Sequence, residues 1–329
     1  MGRLRKRPAL LALCAAGLAL AACRAAPPAV SLARDEAAGR LTVLVGGREA
    51  LVFQYGPDLD LPHYWPLRSP SGRNLLVRKT EPYPHHRSFW FADTVRLEGE
   101  REGEGREASF YNALTSGLPL GNGDFGPPFR DRVRLVSFPR LEAAGDRAVV
   151  EAELAWESGD RPVLDEHRRL VVRSLGGGEY LLDLTWTLVA ARGEVRFTSD
   201  DVHYAWPYLR LDPAFSGEKG GRIVSDTGAS GQDATNMKPA LWIDCSNTVD
   251  GVTEGVAVFQ FPDGREHRWL TREYGTFGPR RPDDLSGKPF TLKRGESIVQ
   301  RVGVLVHSGD AVSGRVARAY EAYAAGGRR

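Results

Sequence analysis

Three of the chain's seven histidines fall between residues 63 and 91. They sit in two runs, His63-Tyr64-Trp65-Pro66-Leu67-Arg68-Ser69-Pro70-Ser71-Gly72-Arg73 and Pro82-Tyr83-Pro84-His85-His86-Arg87-Ser88-Phe89-Trp90-Phe91. Imidazole can titrate near neutral pH, guanidinium binds oxyanions through a fixed fork, and indole offers a flat apolar face. Together these groups could bind and transform a polar, partly apolar substrate. The bland alternative is a set of packed rings with satisfied polar partners. On extended chain, His85 shares a side with Arg87, and His86 with Ser88 and Trp90. Pro84 biases Tyr83 toward extended geometry. A loop, by contrast, could present both rings to one metal. The sequence does not require a metal and leaves the cofactor unknown.

A second cluster runs Ser199-Asp200-Asp201-Val202-His203-Tyr204-Ala205-Trp206. In a strand Asp201 and His203 project to one side, and a carboxylate beside imidazole raises its basicity and fixes its tautomer. A solvated loop with an accidental pairing is the alternative. The third cluster, Gly264 to Tyr274, contains His267 and Trp269 among charges and reads equally as a solvated strand edge or a substrate rim. Trp156 and Trp186 lie on apolar alternating faces and are expected in the core, and Trp242 is ambiguous. Trp65, Trp90, Trp206 and Trp269 accompany polar clusters and are candidates for stacking on a substrate.

Gly121-Asn122-Gly123-Asp124-Phe125-Gly126 spells a dinucleotide fingerprint, but Pro119 before it and Pro127-Pro128 after it deny the strand-to-helix context that the motif needs. There is no G-x-S-x-G elbow, H-E-x-x-H helix or P-loop, so the common hydrolase, zincin and NTPase signatures are missing.

The chain opens with Arg3, Arg5, Lys6 and Arg7, then an apolar run from Ala9 to Ala22, too short to span a bilayer, and then Cys23. Leu20-Ala21-Ala22-Cys23 resembles the bacterial lipobox. Residues 1–22 are therefore expected to be a lipoprotein signal peptide and 23–38 a lipid-anchored tether. Lipidated Cys23 would hold the protein in the cell envelope, and Arg24 leans toward the outer membrane. Removing the leader's four cations takes the formal charge from +2 to −2. Nothing then favours nucleic acid, which would call for a basic face. Cys245 would stand alone, so no disulfide framework exists.

The elements that must position these residues are strands. Leu41 to Val45, Gly46-Gly47 and Leu51 to Phe53 read as a hairpin. A second hairpin turns through Gly176-Gly177-Gly178, after which Tyr180, Leu182, Leu184, Trp186 and Leu188 take one face, and Asp183, Thr185 and Thr187 the other. The same period recurs at Val150 to Trp156, Gly255 to Phe261, and Val302 to Val306. Only the C-terminal segment is helical, with Val312, Val316, Ala319, Tyr320 and Tyr323 forming a stripe. Strands without alternating helices predict an all-β antiparallel sandwich with a short C-terminal helix, a single domain over 39–329.

Several blocks together resemble an uncharacterised bacterial domain family that goes by the name "methane oxygenase PmoA". They are Tyr64 to Leu67 with Ser69 to Arg73, Pro84 to Arg87 with Trp90-Phe91, Ser216 to Gly221, Pro239 to Asp244, Gly255 to Phe259, Tyr274 to Gly278, and Val306 to Asp310. The resemblance implies a fold akin to the galactose-mutarotase supersandwich and an association with carbohydrate metabolism. It also adds Glu218 and Lys219, from its Ser-Gly-Glu-Lys block, to the candidate substrate contacts. Phe261-Pro262 and the charged run Glu98–Arg106 depart from the family pattern.

The expected protein is an envelope-anchored lipoprotein that processes a sugar by His/Arg acid–base chemistry, as an epimerase, lyase or hydrolase. His85, His86 and His203 are the catalytic candidates. Arg73, Arg87, Trp65, Trp90, Trp206, Glu218, Lys219 and Trp269 are the substrate-binding ones. The inward histidine of the 85–86 pair is expected to share a cleft with His203 and Arg73. The alternative is a non-catalytic glycan-binding lipoprotein. A metal-dependent oxygenase and a purely structural envelope protein complete the range. Partners are a small-molecule or glycan substrate and, through the anchor, a membrane.

Overall fold

The computed structural model describes Gly2 and residues 29–81, 83, 85–98, 107–111, 129–198 and 205–326. The rest of the leader, Cys23, the glycine-rich segment 121–126, Asp201 and His203 lie outside the described residues.

In chain order the strands are β1 (Val30–Asp35), β2 (Arg40–Val45), β3 (Arg48–Gln54), β4 (His63–Leu67), β5 (Phe89–Trp90), β6 (Thr94–Leu97), β7 (Glu107–Ser109), β8 (Asp131–Ala144), β9 (Arg147–Ser158), β10 (Arg161–Gly176) and β11 (Glu179–Val189). They continue with β12 (Val195–Phe197), β13 (Tyr208–Arg210), β14 (Arg222–Ser225), β15 (Trp242–Val249), β16 (Val252–Gln260), β17 (Trp269–Arg272), β18 (Thr276–Pro279), β19 (Phe290–Leu292) and β20 (Ser297–Ser308). Two helices, α1 (Gln232–Thr235) and α2 (Val316–Gly326), complete the frame.

Sheet I has the order β1-β2-β3-β4-β5-β13-β18-β17, and sheet II the order β14-β15-β16-β20-β11-β10-β9-β8. A third sheet, β19-β12-β6-β7, closes one end. All strand pairings are antiparallel, as expected for an all-β sandwich. The strands start earlier than the sequence suggested. Val30–Asp35, inside the segment read as tether, pairs with β2, because Val30 is apolar and buried against it.

The hairpin of β10 and β11 shows why the pattern was readable. Gly176, Gly177 and Gly178 all have positive φ (89°, 62° and 88°), a run that only glycine adopts without strain. Register then fixes Tyr180, Leu182, Leu184, Trp186 and Leu188 inside and Asp183, Thr185 and Thr187 on the opposite face. The inner faces of sheets I and II share one apolar core, in which Trp186 stacks on Phe91 at 5.0 Å and meets Phe89 edge-on at 6.3 Å. Tyr180 ties the layers with its hydroxyl 2.9 Å from the Ala50 carbonyl and 2.7 Å from that of Arg68.

α2 covers the outer face of sheet II. Val316 and Tyr323 pack on Ala257, Phe259, Leu305 and Trp242, which places Trp242 in this second apolar cluster. β16 is therefore buried on both faces rather than alternating. Gly303 lets the helix approach, since a Cβ there would stand 3.0 Å from Phe259 and 3.1 Å from Tyr323. Val312 is 85% exposed and precedes the helix, so the predicted stripe begins at Val316. Among the described residues, no helix is long and apolar enough to cross a membrane.

Candidate functional site

β5 pairs with β4 on one side (Tyr64↔Phe89) and β13 on the other (Tyr208↔Trp90), and β13 pairs with β18 (Arg210↔Thr276). Phe89 and Tyr64 point to the core, so Trp90, Tyr208, Arg210 and Thr276 point to the outer face of sheet I. Trp90 stacks on Tyr208 with ring centroids 4.7 Å apart.

The loop before β5 folds onto this face. Residues 80 and 83 form a bridge, the His86 amide donates to Tyr83 O at 3.0 Å, and the Lys79 amide donates to His86 O at 3.3 Å. Lys79 (φ 49°) and Ser88 (φ 91°) turn the chain in at its two ends, a backbone region that non-glycine residues seldom occupy. Because strand geometry begins only at Phe89, His85 and His86 do not take opposite faces. Their rings meet edge to face at 4.7 Å. His86 stacks on Tyr83 at 5.1 Å and lies 5.1 Å from Trp90. Tyr274 lies 5.1 Å from Tyr83, and Tyr111 5.4 Å from His85. His86 Nδ1 is 3.4 Å from Thr276 Oγ1.

Burial lowers the His86 pKa to about 2, helped by the neighbouring His85 and Arg210, and lowers that of half-buried His85 to about 4, helped by Arg87. Both rings are thus neutral and offer a lone pair, with pKa values below the near-neutral range that the sequence suggested. Burial raises the Tyr274 phenol above its ordinary value, keeping it a proton donor.

Arg210, which sequence reading passed over, is buried at 3% exposure. Its guanidinium donates to the Tyr274 carbonyl and lies 4.5 Å from the Tyr274 ring centroid. Among the described residues no carboxylate makes a salt bridge to it, and its Nε has no hydrogen-bond partner. Burial lowers its pKa, while Tyr274 and the nearby exposed Glu218 act in the opposite sense. A buried cation of this kind attracts negative charge that a ligand brings or develops. The signal for Arg210 was its same-face spacing from Tyr208, visible only once Tyr208–Arg210 is known to be a strand.

The same sheet face extends to His63, whose Nδ1 donates to Leu61 O at 3.1 Å, leaving Nε2 to accept from Arg78 at 3.3 Å. Arg78 in turn lies over the half-buried Trp65 ring at 3.8 Å. Burial lowers the His63 pKa to about 3.

The other candidates go elsewhere. Arg87 is buried in a two-point ion pair with Asp60, at 3.0 and 2.5 Å. Arg73 pairs with Asp250 at 2.9 Å and approaches Glu254 at 3.7 Å. Lys219 is exposed. Trp90, Trp206 and Trp269 are no more than 1% exposed and present no free face to a ligand. Trp206 Nε1 donates to Asp93 at 2.9 Å, and Trp269 Nε1 to Ala240 O at 2.8 Å. Trp206 and Trp269 are thus satisfied packing residues, whereas the buried Trp90 Nε1 has no hydrogen-bond partner among the described residues. His267 is likewise buried, with ring nitrogens 2.9 Å from Arg280 O and 3.2 Å from Asp263. β17 is nonetheless the edge strand of sheet I, and Gly264, Arg265, Glu266 and Arg268 beside it are exposed, so the cluster matches the solvated-edge alternative with His267 and Trp269 turned inward. Among the described residues, no group of three or more His, Cys, Asp or Glu side chains is placed to hold a metal ion.

An antiparallel β-sandwich with a histidine–tyrosine–arginine cluster on one outer face defines the class of molecule. The chain belongs to the family of unknown function DUF6807, which matches residues 40–321. No curated protein matches it in sequence. Among solved structures it is similar to GH36 alpha-galactosidase AgaA A355E from Geobacillus stearothermophilus in complex with 1-deoxygalactonojirimycin, at 12% identity and a TM-score of 0.43, covering 85% of this chain and 40% of that one. It is also similar to galactose 1-epimerase from Lactobacillus acidophilus NCFM (13% identity, TM-score 0.36, 84% of this chain and 94% of that one). The GalM/aldose epimerase homologue from C. elegans is similar at 10% identity and a TM-score of 0.33, covering 83% of this chain and 97% of that one. The chain thus spans about 40% of the length of the galactosidase it matches.

Proposed function

We propose that the outer face of sheet I around His85 and His86 is a saccharide site that catalyses proton transfer. The observation that carries this reading is the convergence of two neutral imidazoles, the Tyr83 and Tyr274 phenols and the Arg210 guanidinium, which has no salt bridge among the described residues, at one place. Half-buried His85 is the base, its affinity for a proton rising as negative charge develops on the adjacent sugar, a phenol returns the proton, and Arg210 steadies that charge between the two events. Aromatic rings at the rim suit the C–H face of a pyranose. Glycoside hydrolysis would ask for two carboxylates flanking the bond. Among the described residues at the cluster, Asp60 is committed to Arg87, and Glu81 and Glu218 are exposed rather than turned in as a facing pair, so epimerisation or β-elimination is favoured over hydrolysis.

The test is a substrate panel read by anomeric NMR signals for epimerisation and by ultraviolet absorbance of unsaturated uronates for elimination. His85→Asn, His86→Asn and Tyr274→Phe are each expected to lower turnover by about 10²–10⁴-fold. Melting temperature accompanies each rate, and His203→Ala is run beside them. Unchanged turnover per folded molecule in all the cluster variants would refute the proposal. Saturable sugar binding without turnover would replace it with the glycan-binding reading.

The site is further proposed to face the outside of the cell membrane, held there by lipid on Cys23. The support is the lipobox-like Leu20-Ala21-Ala22-Cys23 after a basic, apolar leader. Fractionation should find the wild type in the membrane and Cys23→Ala released or unprocessed. A wild type free in the periplasm with an unmodified N-terminus would count against the anchor.

A further inference from the structure

A groove of about 560 Å³ runs along the outer face of sheet II beside α2, a volume within the usual range of ligand pockets. Strand register sets its floor in three rows. Glu151, Arg169, Thr185 and Arg301 stand across β9, β10, β11 and β20, and Val149, Val171, Asp183 and Gly303 stand next to them. The third row is Arg147, Arg173, Leu181 and Leu305.

Two of the four arginines are neutralised. Arg301 holds Asp183 through two hydrogen bonds of 2.8 and 2.6 Å, and Arg169 lies 3.4 Å from Glu151. Arg147 and Arg173 are different. They are directly opposed across β9 and β10, both are exposed, and among the described residues neither makes an ion pair. Like charges placed opposite each other on neighbouring strands destabilise a sheet. Nothing in the packing requires either guanidinium, so the pair is a cost that the fold does not need. The carbonyl end of α2 reaches the groove at Gly326, but its partial charge of about half a unit is small against two full cations. Beside the pair, exposed Leu175 and half-buried Leu181 present apolar surface over a floor of buried Val171, Leu305 and Tyr323.

We propose that this groove is a second binding site, separate from the histidine cluster, for a sugar unit carrying a carboxylate or sulfate group. Two adjacent guanidinium forks grip the planar or tetrahedral anion. The apolar surface next to them receives the C–H face of the ring to which the anion is attached.

The experiment is calorimetric titration of the full chain with an oligogalacturonate, a sulfated oligosaccharide, a neutral cello-oligosaccharide, inorganic phosphate and anionic phospholipid vesicles. One or both acidic saccharides should bind at the groove, and the neutral one should not bind there. Arg147→Gln or Arg173→Gln should weaken this class of binding by at least about tenfold, and the double variant should leave any binding at the sheet I cluster but abolish binding at the groove. His85→Asn should leave it intact, which separates this site from the one on sheet I. The double variant should melt no lower than wild type, because it relieves a repulsion. The proposal is overturned if neither acidic saccharide binds or if the double variant binds them unchanged. It is equally overturned if phosphate or vesicles bind as tightly with the same arginine dependence, which would make the groove a simple anion or membrane site.

Discussion

Acidification from about pH 7 to about pH 4 is expected to remove folding stability on the order of 7 kcal/mol through two histidines, a large share of the roughly 5–15 kcal/mol that holds a typical domain together. The cause is the pair of deeply buried neutral histidines, His63 with its pKa lowered to about 3 and His86 with its pKa lowered to about 2. Burial is the largest contribution in both cases. In the unfolded chain each would bind a proton as the pH falls below about 6.5. The unfolded state then holds more protons than the native state, so stability falls with falling pH. The loss runs at about 1.4 kcal/mol per pH unit for each ring until its folded pKa is reached. His85 acts in the same direction, more weakly because it is more exposed. His307 opposes them: although burial alone would lower its pKa, the bond of 2.7 Å to Asp244 raises it overall. Its contribution is full at low pH and is lost as the pH rises through its folded value. Urea unfolding at a series of pH values measures the slope, and His86→Gln should flatten it by about 1.4 kcal/mol per unit. A stability that stays level between about pH 6.5 and 4.5 would show that these rings are not buried in the neutral form.

Glu166→Ala is expected to cost about 3–5 kcal/mol. Glu166 and Arg168 alternate onto the inner face of β10, where both are almost fully buried. Glu166 accepts from Arg168 Nε at 2.6 Å and from Trp156 Nε1 at 2.7 Å. Arg168 also lies 5.4 Å from the Phe53 ring centroid and 6.0 Å from that of Trp186. Alanine would strand a guanidinium between the sheets and leave the Trp156 indole without an acceptor. The double replacement Glu166→Leu with Arg168→Met should recover the part of the loss due to the stranded guanidinium, because an apolar pair needs no desolvation of charge, while the Trp156 indole still lacks its acceptor. Chemical denaturation of the three variants checks both statements. A single variant within about 0.5 kcal/mol of wild type would mean that water reaches the pair.

Both the legible and the illegible parts of this protein follow from the period of a strand. Where one face was apolar for several residues, as from Tyr180 to Leu188, two-residue alternation identified strand, inner face and core together. The glycines at 176–178 named the turn because no other residue type accepts that backbone. The same logic gave the helical stripe of Val316, Ala319 and Tyr323. It failed for Trp269, because the polar Arg268 one residue away lies on the opposite side of the strand and says nothing about solvent on the near side, and for Trp90 and Trp206, which the packing of other elements buries whatever polar residues stand nearby in the chain. It also failed for Glu166 and Arg168, whose charges hid an inward face.

By itself, the sequence determined the all-β class, the main hairpin and the C-terminal helix, since each depends on local periodicity or on a backbone only glycine permits. It also marked out the Pro-His-His-Arg segment as the densest chemistry in the chain. Only the tertiary structure decided that the segment is a folded loop bringing both imidazoles together. It alone supplied Arg210 from β13, Thr276 from β18 and Tyr274 from the turn before it, and gave Arg87 to Asp60. Those assignments depend on which strands become neighbours across a sheet. That is settled by the burial of distant apolar faces against one another and leaves no trace in the local pattern of the chain.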